Sequence, residues 1–541
     1  MSQAAASATA AKDFRISSII VPLIAIIAGV FMVVLDNTVM NVALPRLVTD
    51  FHAQLPTLQW TVTGYMLAQA AVIPLSGWLS DRFGPKRIFL ISVVLFTLGS
   101  VLCATPHNVA LLIFFRVIQG LGGGSVLPVS MAYIYRLSPP EKVGSVMGAM
   151  GLPILFAPAI GPVLAGWLVQ YHSWRWIFLL NLPIGIVCLL IGLRSLPKAK
   201  RHAGAEFDLL GTILGPIAFA GLSYGVSEGA SGWTSKETLL GLIGGGIALI
   251  LFIIVELRAK APLLELRVFK SVDFSLAIVV QWVGQFALFG ALFLIPQFLQ
   301  QARGYGAFDS GLIVLPQAIA SGIVMPLGGI LFDRIGARWL VVVGLGFVSA
   351  ALIQLSHVTP TTVGTDLILP LALSGAGMGL MMMPLTTHLM NKAPRELVGR
   401  VSSLSNAMQQ VVNSLSIAAL VTLLTKRVET RTSAVQAHFA KQGIKVPSVS
   451  GLSGATSQAS GAAAKHMTPQ QMHVMETIKN ALLSAGVKAF DDTFFVMIFV
   501  AVAGALLGFV LRRGVYKSAS APQPDGSEPN EEQVHPGFMH G

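Results

Sequence analysis

Long apolar runs alternate with short polar breaks along almost the whole chain. Ile88–Leu102, Leu239–Val255 and Phe494–Leu511 contain no charged residue at all. A bilayer-spanning helix needs roughly 20 predominantly apolar residues, whereas a barrel strand needs about 10 with alternating polarity. The unbroken runs therefore predict helices and exclude a barrel. Read against their breakers, they give fourteen spans, at about 16–40, 57–80, 87–104, 109–133, 142–169, 175–194, 207–226, 238–257, 272–299, 309–332, 338–356, 366–390, 398–425 and 491–511. Lys12 and Arg15 ahead of the first run imitate a signal peptide. That run exceeds signal length and lacks a small-residue cleavage site, so it reads as a retained span.

Composition agrees with this pattern. Of 541 residues, 54% are hydrophobic and only 11% charged, and the mean hydropathy is +0.73. Soluble domains carry roughly 25% charged residues to solvate their surface, so a large soluble enzyme is excluded. The two cysteines, Cys103 and Cys188, lie in apolar runs and offer neither a disulfide framework nor a metal set. The net charge of +12 is explained by topology. With the N-terminus inside, the inner loops and tails hold 23 Lys and Arg, and the short outer loops hold Arg46, Arg175, Lys236 and Arg303 only. That bias places both termini in the cytoplasm and accounts for the basic balance without nucleic acid.

The expected organisation is a tail over 1–15, six helices over 16–196, an extra pair at the periphery over 207–257, six more helices over 270–512, and a disordered tail over 513–541. Between the last two spans lies an expected long extracytoplasmic loop, 427–489, with a low-complexity centre. Near its end, Thr468-Pro469-Gln470-Gln471 is a helix start, followed by Met472, Met475, Ile478 and Leu482 at helical spacing. His466, Met467 and His473 could suggest copper, but an amphipathic helix explains the same residues, and no metal is assigned.

The two halves repeat each other. Gly77-Trp-Leu-Ser-Asp81-Arg82-Phe-Gly84-Pro-Lys-Arg87 recurs as Gly329-Ile-Leu-Phe-Asp333-Arg334-Ile-Gly336-Ala-Arg338, an offset of 252. Gly120–Gly124 recurs as Gly375–Gly379, and Gly144 as Gly399, both at offset 255. Such a repeat implies two six-helix bundles related by an axis along the membrane normal, the architecture of an alternating-access transporter.

These residues resemble the major facilitator superfamily, and more narrowly its fourteen-helix drug:proton antiporter branch. Gly77–Arg87 is similar to its loop signature, Arg116-Val-Ile-Gln-Gly120 to its fourth-helix arginine motif, and Leu35–Pro45 to the branch's first-helix signature. Gly161-Pro162 with Gly166 resembles the fifth-helix antiporter motif, with Ala165 where that motif has its second terminal glycine. The resemblance implies a multidrug efflux antiporter of the bacterial plasma membrane, driven by the proton gradient without a cofactor. Its implied partners are lipophilic small molecules, protons and lipid, with a periplasmic adaptor where the host has an outer membrane. It also implies that Gly77, Asp81, Arg82, Gly84, Arg87, Asp333 and Arg334 latch the bundles, and that the Gly161–Gly166 kink seals against proton leak.

Ionisable residues at bilayer depth cost roughly 2.5–3.5 kcal/mol and need a reason. Asp36 and Arg116 lie clearly inside spans, and their repeat equivalents are Leu288 and Leu371. A proton site answers to these residues, and the resemblance implies the same; a buried pair holding two helices together uses the same two side chains. Asn37, Asn41, Trp60, Tyr65, Gln69, Gln281, Gln285, Phe286, Gln297, Gln409 and Asn413 are candidates to line a cavity or to join helices. With no second deep acid in the C-terminal half, a neutral or monocationic lipophilic substrate fits better than a dication. HExxH and Walker-type sequences do not occur, and the two overlapping GxSxG matches, Gly221–Gly225 and Gly225–Gly229, lie in and just beyond an apolar span and not at a strand-to-helix turn, which argues against an enzyme. A transporter of one small metabolite and a passive facilitator or receptor remain alternatives.

Overall fold

The computed structural model describes residues 19–53, 55–139, 142–197, 208–229, 232–259, 262–391, 393, 397–441 and 469–511. Among the described residues, fourteen helices occupy the places of the fourteen expected spans. They are α1 Ile20–Phe51, α2 Leu55–Phe83, α3 Pro85–Cys103, α4 Val109–Leu137 and α5 Val143–Tyr171. Helix α6 is broken into Arg175–Leu179 and Asn181–Ser195, followed by α7 Leu209–Gly229 and α8 Lys236–Arg258. Then come α9 Val272–Gln297, α10 Ala307–Ile335, α11 Ala337–Leu355, α12 Ile368–Asn391, α13 Val398–Ala440 and α14 Pro469–Gly508. All but α5 carry a window apolar enough to cross a membrane among the described residues. Large apolar side chains cover the outer faces, as Ile91, Leu240 and Phe499 do, so this is a multi-pass integral membrane protein.

The repeat is visible in the packing. In the first half α1 packs on α5 and α6, α4 on α2 and α3, and α3 on α6. In the second, α9 packs on α13 and α14, α12 on α10 and α11, and α11 on α14. The pairings are identical once each helix is advanced by eight. Glycines permit the close crossings: a β-carbon on Gly120 or Gly124 would strike the backbone of α2, and one on Gly375 would strike α10 at Gln317. The halves meet along two equivalent seams, α5 on α10 and α2 on α13. At one end of each seam glycines cross, Gly144 against Gly329 and Gly77 against Gly399. This end carries the basic loops and is called the basic end.

Helix α2 turns directly into α3 through Gly84 (φ 88°), and α10 into α11 through Gly336 (φ 78°). Lys86 in the first turn of α3 donates to the carbonyls of Leu193 and Leu196 at 2.7 Å, capping the C-terminus of α6. The extra pair does more than sit at the edge. Helix α7 lies against both α2 and α13, and Phe219, Phe252, Leu263 and Leu264 form one apolar cluster with Ile73, Trp78, Leu404 and Ala407 across that seam.

The long loop over 427–489 is corrected. Helix α13 continues unbroken to Ala440 over 43 residues, and α14 begins at Pro469 and runs for 40. At about 1.5 Å per residue, each is roughly twice the length a bilayer core requires. Past the membrane, Lys, Arg, Glu, Ala and Gln in α13 favour helix, and the arms pack on each other through Phe439, Ile478 and Leu482. Arg431 clamps Asp492 with both forks of its guanidinium, at 2.9–3.0 Å. The low-complexity centre 442–468 and the tails 1–15 and 513–541 fall outside the described residues.

A side chain at the backbone angles of Gly84 or Gly336 costs of the order of 1–3 kcal/mol. Gly84→Ala and Gly336→Ala are each expected to lower the melting temperature in detergent. Gly346→Ala, at a helical site with open space around it, should leave it unchanged or raise it. Equal melting of all three would contradict the strained-turn assignment.

Candidate functional site

Asp36 and Arg116 meet inside the N-terminal half. Asp36 sits midway along α1 and Arg116 two turns into α4, and both side chains are fully buried. Arg116 Nη1 donates to Asp36 Oδ2 at 2.5 Å. Its Nε donates to the Thr61 carbonyl of α2 at 2.9 Å and its Nη1 also to Gln119 Oε1 at 2.8 Å. Arg116 Cζ lies 3.9 Å from the centre of the Tyr65 ring, a cation–π contact strengthened by burial.

The other carboxylate oxygen is held by two amides that nothing in the sequence pattern singles out. Gln119 Nε2 and Asn181 Nδ2 each donate to Asp36 Oδ1 at 2.9 Å. Both amides also donate to Ser100 Oγ, at 3.1 and 2.9 Å, and Ser100 donates to the Phe178 carbonyl at 2.9 Å. Five helices of one half thus converge on a single carboxylate. A buried charge is tolerated when it is paired and its remaining lone pairs are satisfied, and here they are. Thr38, two residues beyond Asp36, packs against Gly161 of α5. The kink motif therefore touches the first-helix signature, while Gly166 faces Phe308 of α10; nothing is described of the Pro162 side chain.

At the basic end two carboxylates bridge the halves. Asp333, at the C-terminus of α10, accepts the N–H of Gly144 at 3.0 Å, and the N–H and hydroxyl of Ser145 at 3.1 and 2.7 Å. It neutralises the positive end of α5. Asp81, at the C-terminus of α2, accepts from Arg400 Nε at 3.1 Å and lies 3.7 Å from Arg136 Nη2. Arg400 also donates to the Pro262 carbonyl at 2.8 Å, joining the linker after α8 to the latch. Ser76 meets Ser403 at 2.9 Å, and Tyr135 donates to the Thr387 carbonyl at 2.8 Å. The basic end is closed. Of the residues expected in a latch, Asp81 and Asp333 make these bridges, Gly77 lies at the α13 crossing and Gly84 at the α2–α3 turn, and Arg82, Arg87 and Arg334 lie at the exposed surface. Arg136, Arg400 and Ser145 were missed, although Arg400 is Ser145 advanced by the repeat offset of 255.

The cavity candidates divide. Tyr65 and Gln69, bonded to each other at 2.8 Å, belong to the wall of the Asp36 network. Trp60 stacks on Tyr224 of α7, with ring centres 5.8 Å apart. Gln281 holds Thr386 and Ser405 inside the C-terminal half, and Gln297 pairs with Gln301 in a π turn at the end of α9. Asn37, Gln285, Phe286, Gln409 and Asn413 are half-buried; the side chain of Asn41 is outside the described residues. The count of buried charges also changes. Asp273, in the first turn of α9, pairs with fully buried His388 of α12 at 3.5 Å, and Glu256 of α8 accepts the N–H groups of Leu263 and Leu264. All three lie near the basic end, where span edges hid them.

The family model described as Major Facilitator Superfamily matches residues 26–417. A multidrug resistance protein B homolog of Mycobacterium tuberculosis is 38% identical over 396 residues, covering 72% of this chain and 73% of that protein. The lincomycin resistance protein LmrB of Bacillus subtilis is 33% identical over 421 residues, covering 77% and 87%. Among solved structures, the proton:xylose symporter XylE aligns with a TM-score of 0.59 at 15% identity, over 93% of this chain and 98% of that one; this likeness concerns the fold.

The closed end supports a direct test. Ser76→Cys with Ser403→Cys should cross-link on oxidation, with little background because Cys103 and Cys188 are buried. Adding Asp81→Asn removes the Arg400 ion pair and should lower the cross-linking yield several-fold. An unchanged yield would mean that Asp81 does not hold the seam.

Proposed function

The chain belongs to the Major Facilitator Superfamily, and on that premise we propose that it is a proton-coupled exporter of lipophilic or monocationic toxic compounds. The observation that carries this reading is the sealed Asp36–Arg116 pair, confined to one half of a molecule whose helix pairings are otherwise repeated. A pair needed only for packing has no reason to be absent from the equivalent place in the other half, where Leu288 and Leu371 stand. The names of the two resistance relatives support drugs as cargo.

In this reading the basic end faces the cytoplasm, both termini lie there, and the closed seam is the outward-facing arrangement. A proton from outside neutralises Asp36. Arg116 then loses its counter-charge while its Thr61, Gln119 and Tyr65 contacts remain, so it is held against the site as a cation ready to expel that proton. The seams part by sliding glycine faces, and the proton leaves inside. Asp81 and Asp333 act only on the equilibrium between states, which moves as far as their interaction free energies differ between its ends. The first experiment is growth of an efflux-deficient strain carrying the chain across a panel of toxic compounds.

A second reading is favoured by the complete satisfaction of Asp36: a fixed ion pair that only ties α1 to α4. Inverted vesicles under an imposed pH gradient separate the two, using the compound to which the panel shows resistance. Asp36→Asn should fold and reach the membrane but fail to concentrate the compound, while downhill exchange survives. Arg116→Lys keeps the charge without the planar fork and should be impaired, and Arg116→Ala more so. Asp81→Asn should transport several-fold more slowly with binding retained. If Asp36→Asn concentrates the compound like the parent, the coupling site lies elsewhere.

A further inference from the structure

We propose that Asn181 is the positioning residue that sets how tightly Asp36 holds a proton, by turning its side-chain amide when Asp36 is neutralised. This rests on the reading of Asp36 as the proton carrier. The two amides on Asp36 Oδ1 are not equivalent. Gln119 Oε1 accepts from Arg116 Nη1 at 2.8 Å, and a guanidinium offers donors only. Gln119 is thereby pinned with its NH2 toward Asp36. Asn181 has no such restraint from Arg116; its Nδ2 meets only Asp36 Oδ1 and Ser100 Oγ, each at 2.9 Å.

A proton landing on Oδ1 converts an acceptor of two bonds into a donor. Gln119 cannot turn to receive it, because its carbonyl is committed to Arg116. Asn181 can. Rotation by half a turn about the last side-chain bond places its carbonyl oxygen where the NH2 stood, so that it accepts the new O–H of Asp36. The same rotation presents an acceptor to Ser100, whose hydroxyl swings from the Phe178 carbonyl to the amide. That swing releases the tie of 2.9 Å between α3 and the short first piece of α6. Asn181 is the first residue after the break in α6, so the bond is lost at the discontinuity of that helix. Protonation at Asp36 is thus read out as loosening between α3 and α6.

The charged and titratable groups around Asp36 leave Asn181 as the adjustable neighbour. Arg116 of α4, Tyr65 of α2 and Cys103 of α3 face it. Helix α5 has no charged residue, and its one titratable group, Tyr171, lies at its far end. In the first piece of α6, Arg175 stacks on Trp174 and reaches toward the Pro106 carbonyl. The remainder of α6 carries Cys188, bonded to the Ala25 carbonyl, and Arg194 in its last turn.

Infrared titration in detergent needs no substrate. The carboxylic C=O band that disappears in Asp36→Asn belongs to Asp36, and its growth with falling pH gives a midpoint. The bond to the charged form is about twice as strong as the one the turned amide makes to the neutral form, so Asn181→Ala should move the midpoint upward by about 1 pH unit, the difference between the two bonds. Asn181→Ser, whose hydroxyl donates or accepts by rotation, should return it toward the parent. If Asn181→Ala does not fold, the isosteric Asn181→Asp carries the test: a second carboxylate beside Asp36 should raise the midpoint at least as far. A folded Asn181→Ala or Asn181→Asp with the parent midpoint overturns the proposal and leaves Asp36 as the carrier. If no band titrates in the parent and vanishes in Asp36→Asn, both readings fall together.

Discussion

A carboxylate and a guanidinium removed from water must neutralise each other and find partners for most of their remaining lone pairs and protons, and here every polar atom of the pair but Arg116 Nη2 is hydrogen-bonded. That constraint organises the N-terminal half. To meet it, α1 brings Asp36, α4 brings Arg116 and Gln119, α2 offers the Thr61 carbonyl and the Tyr65 ring, α3 offers Ser100, and α6 offers Asn181. The register of these helices is fixed by chemistry as well as by apolar packing. The C-terminal half, with leucines at the equivalent places, is held at this depth by apolar packing and by neutral hydrogen bonds such as Gln317 to Ser374 at 3.3 Å. A difference between the halves is what a coupled transporter needs, because a proton must act on one of two otherwise similar bundles.

The latches show the same economy with another asymmetry. Both use an aspartate at the end of a helix whose next residues turn through a glycine of positive φ. On one seam the carboxylate is met by the free N–H groups of α5, on the other by the Arg400 side chain. A guanidinium can swing away, while a helix terminus moves only with its helix. Arg400 also holds the Pro262 carbonyl, so opening the α2–α13 seam disturbs the linker of the extra helix pair, which is packed into that seam. The extra helix pair is therefore joined to the α2–α13 interface between the halves.

Much of this was legible in the sequence. The long apolar runs marked the spans, and the constant offset between repeated motifs marked the two halves and placed Asp81 and Asp333 at equivalent corners. The same offset points from Ser145 to Arg400, but only geometry shows that each meets an aspartate across a seam. Asn181 was not legible: one amide in an apolar run carries no sign of its direction, and its partner on α1 lies 145 residues away. Tyr65 and Gln69 were selected for polarity, yet the face a helix turns inward depends on how it crosses its neighbours. The arm of α14 was legible in its Thr468-Pro469 start and the helical spacing of Ile478 and Leu482, whereas the arm of α13 was hidden because apolar patterning stops at the membrane surface while helix propensity continues. Asp273, His388 and Glu256 escaped notice because they stand within a turn or so of span ends, where charge is expected to be solvated.

The central claim is that Asp36 carries the proton exchanged for cargo, and proton release on binding tests it most directly. Purified protein in weakly buffered detergent solution is mixed with the compound to which it confers resistance, and the pH change is recorded with an indicator dye. The account predicts that the parent releases protons as the compound binds, and that Asp36→Asn binds the compound without releasing any. Equal release from Asp36→Asn would contradict it and assign the exchanged proton to another group.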